Sequence, residues 1–190
     1  MDIVERVQKL LLTPKSEWET IAEEPATLHG LFTNYVMILA AIPAVSNFIG
    51  YSVIGIAQVR VPMSYGVTQM VITYALTLAF VYLLAILICS LAGPFGGQKN
   101  FLMALKVAAF APTAAWLAGV FKIVPWLAIL SIVGGLYSLY LLYLGLPVLM
   151  KTPESQSIAY IAVVALITIV LTVIIAALQF LAIPPLMRGF

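Results

Sequence analysis

The sequence predicts an all-α polytopic membrane protein, and three observations support that prediction. Hydrophobic residues make up 64% of the chain and charged residues only 8%, and the mean hydropathy is +1.14. Soluble domains carry roughly 25% charged residues, so this chain has too few polar groups to cover a water-facing surface. The apolar residues fall in five long runs, each long enough at about 1.5 Å per residue to cross a hydrocarbon core of about 30 Å. We therefore expect lipid to cover most of the protein.

The first predicted element is a short amphipathic helix at the N-terminus. Apolar residues such as Val7 and Leu10 recur at helical spacing, while Arg6 and Lys9 take the opposite face. Pro14 should end this helix. The pattern is typical of a helix that lies in the membrane interface with its charged face in water.

A second short helix is predicted in "SEWETIAEEP". Ser16 and Glu19 have the spacing of a capping box, which places the helix start at Glu17 and its end before Pro25. Trp18 would face the bilayer as an interfacial anchor. The neighbouring acids, Glu17 and Glu24 among them, are interpreted as a solvated face.

Five predicted transmembrane helices follow and form one membrane domain over residues 31–190. They are placed at about 31–51, 65–91, 101–120, 123–149 and 158–183. Residues 1–30 form the cytoplasmic segment that precedes them. With the N-terminus inside, six of the nine Lys and Arg residues lie on the cytoplasmic side, which favours an N-in, C-out orientation. Lys106, inside the third run, should snorkel to the cytoplasmic surface.

Small residues predict that the third and fourth helices pack together. Ala108 lies on an alanine face of the third helix, and Gly135 lies between Ser131 and Ser138 on one side of the fourth. Small side chains let two helix backbones approach closely. We expect Ala108 and Gly135 to lie in that contact.

A channel or transporter remains an alternative interpretation because proline and polar residues recur within the runs. Pro43, Pro112 and Pro147 each leave a carbonyl without its helical partner, and broken helices can build ion or substrate sites. Threonine stripes have two interpretations, and interhelical hydrogen bonds are favoured over a pore lining. These stripes include Thr73 and Thr77 in the second run, and Thr168, Thr172 and Gln179 in the fifth.

The stretch "YSLYLLYLGLPVLMKTP" places Tyr137, Tyr140 and Tyr143 on one broad helix face near the cytoplasmic end of the fourth run. An aromatic belt at the interface is one interpretation. The other is a cytoplasmic site in which Lys151 pairs with an acid of the second short helix and Tyr143 helps to hold that helix.

Chemistry-bearing residues are scarce, which argues against an enzyme. The five predicted spans contain no Asp, Glu or His, so no general acid or base is available within the membrane. His29 and Cys89 each stand alone, and a metal site needs several ligands. The net charge of +2 and the absence of a basic run give no support for nucleic-acid binding. We expect no cofactor.

Three stretches together, "SEWETIAEEP", "FGGQKNFLMALKVAAFAPTAAWLAG" and "YSLYLLYLGLPVLMKTPESQSIAY", resemble the Yip (Ypt/Rab-interacting protein) family, in its short bacterial form. The resemblance implies five transmembrane helices with the N-terminus in the cytoplasm. It also implies a set of motif residues: Glu17, Trp18, Glu24, Pro25, Tyr137, Tyr140, Tyr143, Gly145, Pro147, Lys151 and Pro153.

The expected function is that of a non-enzymatic inner-membrane protein that organises lipid or partner proteins through its cytoplasmic face. The alternative is a small oligomeric channel or transporter. The expected partners are the lipid bilayer and a protein at the cytoplasmic face, and a homo-oligomer is left open.

Overall fold

A computed structural model of the protein describes residues 2–55 and 60–181, with side chains as far as Leu178. Helices and short connections make up the described residues, which contain no strand. Two short helices, α1 (Ile3–Leu12) and α2 (Pro14–Glu23), precede five long apolar helices. The predicted fold class, an all-α polytopic membrane protein, is confirmed.

The five long helices, called the first to fifth spans below, each contain a stretch apolar enough to cross a membrane. They are Leu28–Ile54, Met63–Ala92, Phe101–Ile123, Pro125–Met150 and Glu154–Leu181. The end of the predicted fifth helix, at residues 182 and 183, lies outside the described residues. The division into a segment of residues 1–30 and a membrane domain of residues 31–190 stays a prediction.

The start of α2 differs from the capping-box prediction. The helix begins at Pro14, which occupies a first-turn position where its missing N–H costs nothing. Ser16 lies inside the helix, and its hydroxyl donates to the carbonyl of Thr13 over 3.1 Å. The prediction of a start at Glu17 was wrong because the proline is a stronger helix-start signal than the Ser16 and Glu19 spacing.

Prolines interrupt some spans and leave others continuous. The first span holds Pro43 inside an α-helical part, Met37–Phe48, which is flanked by π-helical turns. The third span breaks at Pro112 between two α-helical parts. Pro147, by contrast, lies inside the continuous α-helix Ser131–Met150. Loss of one backbone hydrogen bond is therefore insufficient to break the fourth span.

The third span is the most enclosed, and it packs on the fourth as predicted. The amide of Ala115 donates to Ser138 Oγ over 2.9 Å. The glycine at the closest approach is Gly134, where an added Cβ would lie 2.3 Å from the Cβ of Ala118. At Gly135 an added Cβ would meet nothing within 4 Å. The assignment of Gly135 to the contact was wrong by one position along the helix.

Threonine hydroxyls in the second and fifth spans bond to their own helices. Thr77 donates to the carbonyl of Thr73, and Thr172 to that of Thr168, each over 2.8 Å. The favoured interhelical interpretation was wrong for these pairs, because the carbonyl four residues back is always in reach. The side chain of Gln179 lies outside the described residues.

Candidate functional site

Arg6 lies at the centre of a buried charge cluster that joins α1 to α2. Its side chain is 6% exposed, and Nη1 donates to Oε1 of Glu17 over 2.5 Å. Nη2 donates to the carboxylate of Glu24, and the guanidinium lies over the ring of Phe110 at 5.6 Å. The predictions of a solvent-facing Arg6 and a solvated Glu17 were wrong. Mutual pairing makes their burial tolerable, since an unpaired buried charge would be costly.

Lys106 fixes the end of α2 to the third span. It is 1% exposed, and its Nζ donates to the carbonyl oxygens of Ile21 and Glu24, each over 2.6 Å. The last carbonyls of a helix lack partners within the helix, and a lysine can supply them. The expectation that Lys106 snorkels to the surface was wrong because the end of α2 covers its ammonium group and supplies carbonyl oxygens that accept its hydrogen bonds.

Trp18 is a core residue, whereas an interfacial anchor had been predicted. Its side chain is fully buried, with its ring edge-on to Phe110 at 6.4 Å between centroids. A Cβ at Gly145 would lie 2.5 Å from Cε2 of this indole. The fourth span thus offers a glycine surface on which the α2 tryptophan lies, and these two motif residues are direct neighbours.

Tyr137 is the tyrosine that contacts the N-terminal helices. Its hydroxyl donates to the carbonyl of Leu11, near the end of α1, over 2.7 Å. Its ring packs edge-on against Tyr140 at 5.5 Å. Tyr140 and Tyr143 are 42% and 50% exposed. The three tyrosines therefore have different surroundings, although they share one helix face.

Removal of the Tyr137 hydroxyl should loosen the N-terminal segment. Tyr137→Phe leaves the Leu11 carbonyl without this donor, at a cost of about 0.5–1.5 kcal/mol. We expect proteolysis before residue 30 to become about two- to tenfold faster in detergent. The matched control, Tyr143→Phe, should leave the cleavage rate unchanged. Equal acceleration in the two variants would contradict this account.

Lys151 and Pro153 lie at the turn after the fourth span. Lys151 is exposed and ends the helix in the left-handed conformation at φ 49°, with its amide donating to the carbonyl of Pro147. The prediction that Lys151 pairs with an acid of α2 was wrong. Arg6 forms the ion pairs with Glu17 and Glu24.

The turn at Pro153 packs against the loop that follows the second span. A Cβ at Gly96, where φ is +69°, would lie 3.3 Å from Pro153 Cγ, and the amide of Gln98 donates to the carbonyl of Met150 over 2.8 Å. The loop "GPFGGQKN" and the turn "KTP" thus form one surface at this end of the protein.

A pocket of about 370 Å³ lies between α1, the end of α2, the first span and the third span. Pro25, which follows α2, lies at its exposed rim. The residues that line its polar and aromatic walls are Arg6, Glu24, Asn34, Tyr35, Lys106 and Phe110. Among the described residues no group of three or more His, Cys, Asp or Glu is placed to hold a metal ion.

Sequence reasoning missed the roles of Arg6 and Lys106. A signal existed for Lys106, since an ionisable residue inside an apolar span is a candidate for function by default. For Arg6 the helical pattern pointed the other way, because it falls on the polar side of α1.

Comparisons with known proteins agree with this architecture. The family model described as the Yip1 domain matches residues 9–177, which include α2, the pocket residues from Ile21 to Phe110 and the turn after the fourth span. The inner membrane protein YohC of Escherichia coli K12 is 26% identical over 155 residues, 77% of this chain and 80% of YohC. YohC of Escherichia coli O6:H1 matches to the same extent. No solved structure matches the chain. This membrane-embedded five-span chain belongs to the Yip1 family.

Proposed function

We propose that this protein is a non-catalytic inner-membrane protein that organises lipid or partner proteins at the membrane face formed by α1 and α2. The observation that carries the proposal is the docking of these helices on the spans. Arg6, Lys106 and Trp18 hold α1 and α2 to each other and to the third and fourth spans by buried contacts. The two helices are therefore part of the folded unit.

The outer surface of the docked helices is suited to recognition. Lys15, Glu19 and Glu23 are exposed on α2, while Glu5 and Lys9 form an exposed ion pair at 2.8 Å on α1. A surface that is already ordered loses less conformational entropy when a partner binds. This arrangement supports a binding role at the face.

The state of the acids supports a role without catalysis. Glu17 and Glu24 are both paired with Arg6, so each carboxylate has a structural ion-pair partner. A general acid or base must exchange a proton with a reacting group within hydrogen-bond reach. Glu17, which is 4% exposed, is therefore a structural carboxylate.

The proposed orientation places α1 and α2 in the cytoplasm. Arg6, Lys99, Lys106 and Lys151 lie at the same end of the spans as these helices, which fits the excess of basic residues on cytoplasmic faces. YohC, the relative, is an inner membrane protein.

A topology experiment tests this orientation. A reporter fused after residue 190 should be exoplasmic, and one inserted near Gln98 should be cytoplasmic. The charge distribution is the physical reason for both results. Two reporters on the same side would contradict the five-span, N-in arrangement.

Reconstitution separates the proposal from the channel alternative. Purified protein in liposomes should give ion flux and lipid scrambling no faster than protein-free liposomes, while circular dichroism and thermal melting show an intact helical fold. Flux or scrambling above that background would refute the proposal in favour of a channel or transporter.

A further inference from the structure

The pocket beside α2 brings buried charge to the edge of the membrane. Lys106 lies five residues after Phe101, where the third span begins, which corresponds to about 8 Å along the helix axis. The headgroup layer of a bilayer is of similar thickness on each side. If the third span begins at the outer edge of the headgroup layer, the pocket opens at the depth where lipid headgroups meet acyl chains.

The ammonium of Lys106 retains capacity for another acceptor. Its Nζ donates to two backbone carbonyl oxygens, those of Ile21 and Glu24. An ammonium group carries three donors, and carbonyl oxygens bring no negative charge. A charge this deeply buried favours an anionic partner.

Glu24 supplies the opposite charge at the same pocket. Its carboxylate accepts from Arg6 through Oε2, and its side chain is 40% exposed. A carboxylate can accept several hydrogen bonds, so this group can take a further donor from the open side. Asn34, also exposed, lines the pocket nearby.

The charges together favour a zwitterion. Arg6 and Lys106 balance Glu17 and Glu24, so an anion alone would leave an excess negative charge in a poorly solvated site. A ligand with a phosphate and an ammonium group keeps the site neutral. Leu31 and Phe110 add apolar walls, which suit the first part of an acyl chain.

We propose that this pocket binds the headgroup of a phospholipid that carries a phosphate diester and a primary ammonium group. The phosphate lies against Lys106 and the ammonium donates to Glu24. This inference rests on the proposed function, because it names a lipid class for the face where α1 and α2 lie. Lys106 is 1% exposed and the Glu24 side chain 40% exposed, so the phosphate would occupy the deeper position and the ammonium group the more open one.

Native mass spectrometry of the purified full chain in detergent tests the proposal, with equal concentrations of dioleoyl phosphatidylethanolamine, phosphatidylcholine and phosphatidylglycerol. We expect retention of phosphatidylethanolamine about tenfold above phosphatidylcholine, whose trimethylammonium group has no N–H to donate. Glu24→Gln should lower that preference, because it removes the negative charge that attracts the ammonium group, and Lys106→Met should lower retention of all three lipids. Glu23→Gln, an exposed neighbour outside the pocket, is the matched control and should behave as wild type.

Three results would overturn the inference. They are equal retention of phosphatidylethanolamine and phosphatidylcholine by the wild-type chain, an undiminished preference in Glu24→Gln, and binding of soluble glycerophosphoethanolamine without binding of the diacyl lipid. The Glu24→Gln result decides the matter even if Lys106→Met fails to fold. No lipid preference together with no liposome flux would remove this inference and leave the proposed function standing, whereas flux would remove the proposed function itself.

Discussion

Arg6→Met should lower the free energy of unfolding by about 3–5 kcal/mol, the range measured when one partner of a buried ion pair is removed. The reason is Glu17, whose side chain is 4% exposed and would keep a buried charge without its partner. Thermal melting in detergent measures the effect. Lys9→Met, which removes an exposed pair with Glu5, is the control and should cost no more than about 0.5 kcal/mol.

A double variant checks the mechanism of that loss. Arg6→Met combined with Glu17→Leu removes both buried charges, and apolar replacement of a buried pair is often neutral. Stability should therefore return toward the wild-type value, since Glu24 is exposed enough to turn to water. A double variant as unstable as Arg6→Met alone would show that the buried charge on Glu17 is not the cause.

Gly134→Leu should destabilise the protein by at least about 1–3 kcal/mol, because the leucine side chain would overlap the third span. A Cβ at this position already lies 2.3 Å from that of Ala118 and 2.6 Å from the carbonyl oxygen of Ala114. Gly135→Leu, one residue later, is the matched control because its Cβ would meet nothing within 4 Å. Melting temperatures that fall equally in both variants would argue against this contact between the third and fourth spans.

The fold class could be predicted because it depends on properties that are local in the chain. Whether a run of apolar residues is long enough to cross a bilayer depends only on that run and not on the rest of the chain. Helix breaks were harder to predict from the sequence. Pro112 interrupts the third span, whereas the fourth span continues as an α-helix through Pro147. Whether a proline breaks a helix depends on what surrounds the freed carbonyl, and sequence pattern does not describe those surroundings.

Packing was predicted to within one residue, and the error has a geometric cause. Small residues correctly indicated that the third and fourth spans meet. The choice between Gly134 and Gly135 depends on how the two helices cross, and successive residues point about 100° apart. Periodicity alone does not fix that rotation.

For the candidate site, the family resemblance identified motif residues, but their burial and their contacts could not be predicted from the sequence. Trp18 and Gly145 are both motif residues and lie in contact, although the tryptophan was expected at the bilayer surface. Lys106 reaches carbonyls 85 and 82 positions earlier in the chain. A contact between positions so far apart leaves no periodic pattern, so its prediction requires knowledge of how α2 folds back on the third span.

Hydrogen–deuterium exchange of the hydrogen-bonded α2 amides, residues 17–23, tests most directly that the N-terminal helices are docked by the buried cluster. A ten-residue helix is marginal by itself in water, but docking should protect these amides by at least about a hundredfold. Arg6→Met should remove most of that protection while the amides of the fifth span exchange as in wild type. If α2 were held only by the membrane interface, the more apolar variant would retain its protection, and that result would contradict the docking described here.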